Sequence, residues 1–319
     1  MIENIWKTKN LLSYFLKPFS YVYYIIFKLY NICNFEKYCG VPVVCVGNIT
    51  VGGAGKTPTV IETRKLLSKN FKDIFVLTRG YKGHQKGPLI VNKKSLFDEV
   101  GDESLLHFQY GPTCVAKNKF EGAKHCRNLG SKLIIMDDGL QSVDIRKDFR
   151  ILVIDEIYGF GNGNLFPSGP LREPIDSCIE KSDVVLILGM KKKLRKFKKI
   201  PEEKIFFGQK IIETNKLKKK KLYAFSALGN NQNFYNSLKE NKLKIIKYKT
   251  FPDHYIFKKK DIIKIIKEAN ENKLSIVCTK KDYVKIPDEF KNYIIPIQLN
   301  LRIEQVKKFK KKILDAIRI

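Results

Sequence analysis

Apolar residues in the first half of the chain fall in short continuous runs rather than in alternation with polar ones. Residues 41–47 (VPVVCVG), 73–79 (DIFVLTR), 133–137 (LIIMD), 150–155 (RILVID) and 183–189 (DVVLILG) are rich in β-branched side chains, the pattern of strands buried on both faces. Between them, residues 56–70, 102–109 and 119–128 repeat their apolar positions at helical spacing. This rhythm predicts an α/β fold in which a parallel sheet carries helices on both faces. Further along, KLYAFSA (221–227), LKIIKYK (243–249), LSIVCTK (274–280) and YIIPIQL (293–299) read as a second set of strands, with helices near 230–240, 259–271 and 303–318.

The start of the chain departs from this rhythm. Residues 11–30 (LLSYFLKPFSYVYYIIFKLY) hold eight aromatics, interrupted by Lys17, Pro18 and Lys28. The longest uncharged stretch, 18–27, falls short of the roughly 20 apolar residues that a bilayer crossing needs. A tyrosine-rich helix flanked by lysines suits a lipid headgroup boundary; a helix pair packed as core on the next domain is the alternative. The expected organisation is 1–40 as an N-terminal membrane-associated helical segment, 41–195 as the core and 196–319 as a smaller α/β lobe. The charge run KKKLRKFKKIPEEK after Met190 marks the boundary between the last two. No internal repeat and no long Gly/Ser linker is present.

Composition narrows the class only a little. With 44% hydrophobic residues over 319 positions the chain is an ordinary folded protein. Its seven cysteines, at 33, 39, 45, 114, 126, 178 and 278, include no Cys-x-x-Cys pair, which argues against a zinc knuckle and fits a reducing compartment. Residues 1–10 lack the apolar run of a secretory signal, so the N-terminus is expected to be retained. The net charge of +29 is uneven: residues 1–190 carry 25 basic and 19 acidic groups, residues 191–319 carry 36 and 13. Such a basic surface serves nucleic acid, an anionic membrane or a phosphorylated substrate equally well. Because 52 of the 61 basic residues are Lys in a chain rich in Ile and Asn, biased codon usage accounts for it too.

The sharpest chemical signal is GNITVGGAGKTP (47–58), directly after a predicted strand and opening a predicted helix. In such a phosphate-binding loop the backbone N–H groups of Thr50, Val51, Gly52, Gly53, Ala54 and Gly55 curl around phosphate oxygens. Lys56 reaches the terminal phosphates and the Thr57 hydroxyl addresses Mg²⁺. Thr50 stands where the first glycine of the usual motif would be.

Two acids, Asp137 and Asp138, end the strand LIIMD, as acids that hold Mg²⁺ opposite a phosphate loop do; a plain Asp-Gly turn competes. Strand alternation predicts that only one of them addresses a metal. Asp102 and Glu103, in GDES, open a helix, and by themselves they read first as a cap. His254 lies in a loop-like FPDH, while His107 and His125 fall inside helices and read as packing residues. TRGYKG (78–83) and PSGPLREP (167–174) present Arg79 and Arg172 beside glycines, either as anion contacts or as turns.

Taken in order, VGNITVGGAGKTP, TRGYKG, GDES, DDGLQ, LFPSGPLREP, FPDH and TKKDYVK resemble the tetraacyldisaccharide 4'-kinase family, from the aromatic segment to about residue 286. The resemblance implies transfer of the γ-phosphoryl group of ATP to the 4'-hydroxyl of a tetraacylated disaccharide 1-phosphate, giving lipid IVA, with ATP and Mg²⁺ as cofactors. It implies a peripheral protein on the cytoplasmic leaflet of the bacterial inner membrane, acting as a monomer with no nucleic-acid partner. Carried over by motif, Asp102 accepts the hydroxyl proton with His254 orienting it, and Lys56 steadies the transferred phosphate. Thr57, Glu103, Asp137 and Asp138 surround Mg²⁺, Asn48, Arg79, Gln141 and Arg172 face the substrate, and the C-terminal lobe closes over the nucleotide.

Three departures stand out: Ser104 in place of proline, Leu140 and Ser142 within the acid motif, and Ala227-Leu228-Gly229-Asn230-Asn231 where the family has a fuller nucleotide-side pattern. The rival reading is a P-loop NTPase acting on nucleic acid through the basic C-terminal lobe, which leaves the aromatic N-terminal segment unexplained. A nucleotide-sensing membrane-surface protein is a third.

Overall fold

Each continuous apolar run becomes a strand buried along most of its length. The computed structural model describes residues 6–189, 197–212, 217–229 and 231–317. Residues 1–5 and the start of the boundary charge run, 190–196, lie outside them.

The strands are β1 (Val43–Gly47), β2 (Ile74–Thr78), β3 (Leu89–Ile90), β4 (Thr113–Val115), β5 (Leu133–Asp137), β6 (Phe149–Asp155), β7 (Val184–Leu188), β8 (Ile205–Ile212), β9 (Lys221–Ser226), β10 (Lys244–Thr250), β11 (Ser275–Thr279), β12 (Ile294–Ile297) and β13 (Leu299–Ile303). The helices are α1 (Leu11–Phe15), α2 (Lys17–Cys33), α3 (Lys56–Leu67), α4 (Phe97–Val100), α5 (Asp102–Phe108), α6 (Lys119–Asn128), α7 (Ile175–Lys181), α8 (Asn231–Glu240), α9 (Lys259–Glu271), α10 (Lys280–Tyr283) and α11 (Val306–Ile317).

Nine strands form one sheet in the order β13-β8-β7-β6-β1-β5-β2-β4-β3. Its interior pairs are parallel, and only the edges β3 and β13 run antiparallel to their neighbours. Strands β2, β4 and β5 fill one side of β1, and β6 to β8 fill the other. The chain therefore switches direction beside β1, where open α/β sheets hold their ligands at the carboxyl ends of the strands. Two apolar clusters, one around Cys45, Met136 and Leu152, the other around Val46, Ile135 and Val153, sandwich the sheet. A second sheet, β10-β9-β11-β12, is entirely parallel and has its own core around Phe225, Ile265 and Cys278.

The expected division at residues 195/196 needs correction. Strand β8 pairs with β7, and β13 returns to pair with β8, so the smaller sheet is an insertion between them. Helix α11 follows β13 home: Phe309 meets Phe206 edge-on at 5.3 Å, and Ile313 and Ile317 are buried in the larger core. The sequence carried no mark of this: the strand expected at 293–299 covers β12 and only the first residue of β13, and Gln298 alone separates the two.

The N-terminal helices do not pack as core. Side chains of Phe19, Tyr21, Val22, Ile25, Ile26 and Leu29 on α2 are each more than half exposed, whereas Ser20 is buried. The polar side of the helix is the one that docks. Ser20 Oγ donates to the Leu165 carbonyl (2.9 Å) and accepts from the Ser168 N–H (3.1 Å), and the Tyr23 hydroxyl donates to the Arg172 carbonyl (2.7 Å). Among the described residues no helix is long and apolar enough to cross a membrane.

Candidate active site

The turn from β1 into α3 is set by backbone freedom. Gly55, the residue that caps α3, has φ +92°, and a side chain there would collide with Leu188. Asn48, fully buried at the end of β1, holds the loop from inside: its amide donates to the carbonyls of Thr50 (2.7 Å) and Gly52 (3.3 Å). Its oxygen accepts from Lys56 Nζ at 3.0 Å, so the lysine at the start of the helix is anchored back to the strand. Thr50 bridges to Leu171, which joins the loop to the PSGPLREP segment.

Across from this loop the two acids both turn inward. Asp137 ends β5, and its Oδ2 lies 3.5 Å from Thr57 Oγ1. Asp138 leaves the strand with φ +56°, which breaks the alternation and lets Oδ2 reach Lys56 Nζ at 3.5 Å while Oδ1 accepts from Arg172 (2.8 Å). Both acids therefore reach residues of the loop-to-helix turn, because alternation holds only within a strand. Burial pulls the Asp138 carboxyl upward, yet Lys56 and Arg172 outweigh it and hold it below the usual carboxylate range.

Gln141 and Arg172 belong to the same network. Gln141 donates to the Asn48 carbonyl (3.1 Å) and to Glu173 Oε1 (2.8 Å), and it accepts from Arg172 (3.3 Å). Glu173, 1% exposed and paired with Lys181 at 2.6 Å, was not singled out in the sequence. Arg79 stands exposed beyond β2.

The second centre lies at the start of α5. Gly101 has φ +81° and packs against the Tyr81 carbonyl so closely that no side chain fits, which seats TRGYKG beside the helix start. Asp102 is 3% exposed, and its Oδ2 meets His254 Nδ1 at 2.9 Å, a pairing across 152 residues that joins the two lobes. Lys285 and Lys281 approach the same oxygen at 3.8 and 3.9 Å. Burial favours the neutral acid, but the His254 hydrogen bond and these cations overcome it and keep the carboxyl below its ordinary value. His254 itself has φ +58°, with its ring edge-on to Tyr81 at 5.4 Å. Glu103 pairs with Lys281 at 3.3 Å, at the Asp102 end of α5.

One helix connects the two centres: α5 begins at Asp102, and its His107 meets Asp137 Oδ2 at 2.7 Å with both side chains buried. His107 is thus no mere packing residue. Lys119, at the start of α6, is also buried; loss of water pushes its pKa down to about 8 against the pull of Asp137 and Asp138. Neither residue has a signal in sequence, since each reads as one more position on an amphipathic helix.

Among the described residues no cluster of three or more His, Cys, Asp or Glu side chains forms a ready-made metal cage. Mg²⁺ does not require one, because it is held by one or two carboxylates together with phosphate oxygens and water. The Thr57 hydroxyl beside Asp137, whose Oδ1 has no partner among the described residues, fits that need.

The fold and these side chains define an α/β enzyme whose strand-loop-helix cradle, lysine and paired acids suit phosphoryl chemistry. The sequence profile of the family described as Tetraacyldisaccharide-1-P 4'-kinase matches residues 12–318, and the chain belongs to that family. It is similar to the tetraacyldisaccharide 4'-kinase of Paramagnetospirillum magneticum, 35% identical over 308 residues that cover 93% of each chain. It is similar also to that of Rickettsia canadensis, 34% identical over 321 residues, 100% of this chain and 98% of the relative. A solved structure, LpxK from Aquifex aeolicus in complex with ATP, matches with a TM-score of 0.80 at 27% identity, covering 97% of this chain and 100% of that one.

Proposed function

We propose that this chain transfers the γ-phosphoryl group of ATP to the 4'-hydroxyl of a tetraacylated disaccharide 1-phosphate, giving lipid IVA, on the cytoplasmic face of the inner membrane. The observation that carries the mechanism is the Asp102–His254 pair at 2.9 Å, set at one end of the helix whose other end holds Asp137 beside Thr57.

Phosphoryl transfer passes through a loose transition state, so it asks for aligned oxygens and neutralised charge more than for a strong base. Asp102 suits that demand. Its lowered pKa keeps it ionised, and Oδ1, which has no partner among the described residues, is free to accept a hydrogen bond from the attacking hydroxyl. His254 fixes the other oxygen, so the proton arrives on a carboxylate that cannot rotate away. Lys56 moves from its Asn48 and Asp138 contacts to the transferred phosphate, while the loop N–H groups and the start of α3 face the remaining phosphate charge. Thr57, Asp137 and Asp138 would hold Mg²⁺, whose chemistry is to neutralise phosphate charge, and Arg172 stands as a further cation there.

The outward apolar face of α2 fits a lipid substrate. A helix that docks by its serine and tyrosine hydroxyls and turns its isoleucines to the surroundings is the inverse of a helix on a water-facing protein. Its Tyr23 touches the backbone of Arg172, so the lipid-facing surface and the phosphate site share one segment. The basic excess reads as attraction to anionic lipid and a phosphorylated substrate, and the nucleic-acid reading finds no support among the relatives.

The test is transfer of label from γ-labelled ATP to purified tetraacyldisaccharide 1-phosphate in mixed micelles, with ATPase stimulation by single-stranded DNA as a control. A labelled lipid product without DNA stimulation supports the reading, and ATP hydrolysis with no lipid product defeats it.

A further inference from the structure

We infer that His107 is a positioning residue for the phosphate site: its hydrogen bond holds Asp137 against Thr57 and ties that acid, through a single short helix, to Asp102. The inference rests on the reading of Asp137 as an acid of the phosphate site.

The contact is short, 2.7 Å, and shielded, with the His107 side chain 1% and the Asp137 side chain 2% exposed. A carboxylate only accepts hydrogen bonds, so Nε2 carries the hydrogen and donates it. The same oxygen, Oδ2, is the one that lies 3.5 Å from Thr57 Oγ1. One atom of Asp137 therefore meets a group from α5 and a group from α3, the two helices that flank it.

A second buried group feels the same carboxylate. Lys119 is 3% exposed, its Nζ has no hydrogen-bond partner among the described residues, and neither has Asp137 Oδ1. Asp137 and Asp138 both act on this buried cation through space, yet it makes no hydrogen bond to either. The hydrogen bond from His107 is the one that meets Asp137 Oδ2 on the side of the loop. His107 lies five positions after Asp102, about 7–8 Å along the helix axis. Because that span is too short to bend, the base position and the acid position are set together rather than independently.

A leucine at 107 would fill the apolar space without donating. Glutamine can place its amide nitrogen near the position of Nε2, whereas asparagine reaches only as far as Nδ1. The experiment compares the full-length wild type with His107→Leu, His107→Gln and His107→Asn. It measures kcat, KM for the lipid, and the free Mg²⁺ at which ATP raises the melting temperature half-maximally. Loss of an outer-shell partner typically costs 10–100-fold, so His107→Leu should lower kcat by about that factor and raise the Mg²⁺ midpoint by about tenfold, leaving lipid KM within about twofold.

His107→Gln should recover most of both losses and His107→Asn neither. Equal behaviour of the Gln and Asn variants, or a Leu variant matching wild type in both readouts, overturns the assignment. Should the Leu variant not fold, the Gln and Asn pair decides. Should wild type bind ATP yet transfer no phosphate, the kinase reading falls, while the Mg²⁺ midpoints of ATP-induced stabilisation still decide the role of His107.

Discussion

Asp102 and its surroundings show how a buried acid is kept ionised. Its carboxylate is withdrawn from water, a change that alone favours the neutral form, and it stays charged because His254, Lys281 and Lys285 converge on one oxygen. We therefore expect Asp102→Ala to lower kcat by roughly 10²–10⁴-fold, the range for loss of a positioned acid–base group, with ATP affinity unchanged within about threefold. Near-normal turnover in the labelled-ATP assay would remove Asp102 from the mechanism. In sequence this aspartate read first as a helix cap, but the cap position belongs to Gly101 and Asp102 is the first residue of α5, with no side-chain cap hydrogen bond there. What identified its partner was resemblance, for no local pattern links it to a histidine 152 positions away.

At the level of elements, α2 and the segment that follows it are held by different forces. The helix presents Ile25 and Leu29 outward, 57% and 56% exposed, so charge placed there leaves the fold intact and acts only on the surroundings. Burying one such side chain is worth about 1.5–3 kcal/mol, so Ile25→Glu with Leu29→Glu should weaken partition into phospholipid vesicles at least tenfold with no change in melting temperature. Unchanged co-sedimentation would show that the face does not meet lipid.

Beyond the helix, Glu36 is clamped by Lys147 and by Arg150 at 3.0 Å. Burial raises the Glu36 carboxyl, but these two cations prevail and its pKa is lowered on folding. A carboxylate with a depressed folded pKa stabilises above its unfolded value, and that contribution is lost as pH falls through the folded one. The melting temperature of Glu36→Gln should therefore lie below that of wild type at pH 7, and the gap should close as pH falls through the acidic carboxylate range. A pH-independent gap would contradict the assignment.

For the whole molecule, the decisive fact is that the smaller lobe is inserted between β8 and β13 and lends side chains to a site in the larger one. Lys285 is the most committed of these: 1% exposed, it sits 2.9 Å from Asp282 and 3.8 Å from Asp102. Asp282 in turn accepts from the Ala227 N–H at 3.1 Å, and the Ala227 carbonyl receives the His254 N–H at 3.3 Å, so the cation holds the loop that carries the histidine. Lys285→Met leaves two buried acids without their shared cation, which should cost about 3–5 kcal/mol, with Lys285→Arg milder. The midpoint of urea unfolding measures this, and a Met variant as stable as wild type would mean that the acids do not depend on Lys285.

The sequence by itself determined whatever a short window can encode. Continuous apolar runs became the strands, glycines at positive φ became the loop before Lys56, and two acids closed β5, because each depends on neighbours a few residues away. Tertiary structure decided the rest. It returned residues 299–317 to the first sheet, brought His254 to Asp102 and His107 to Asp137, and turned the apolar face of α2 outward. These are pairings between distant segments, set by which surfaces can be buried together, and no stretch of sequence taken alone records its partner.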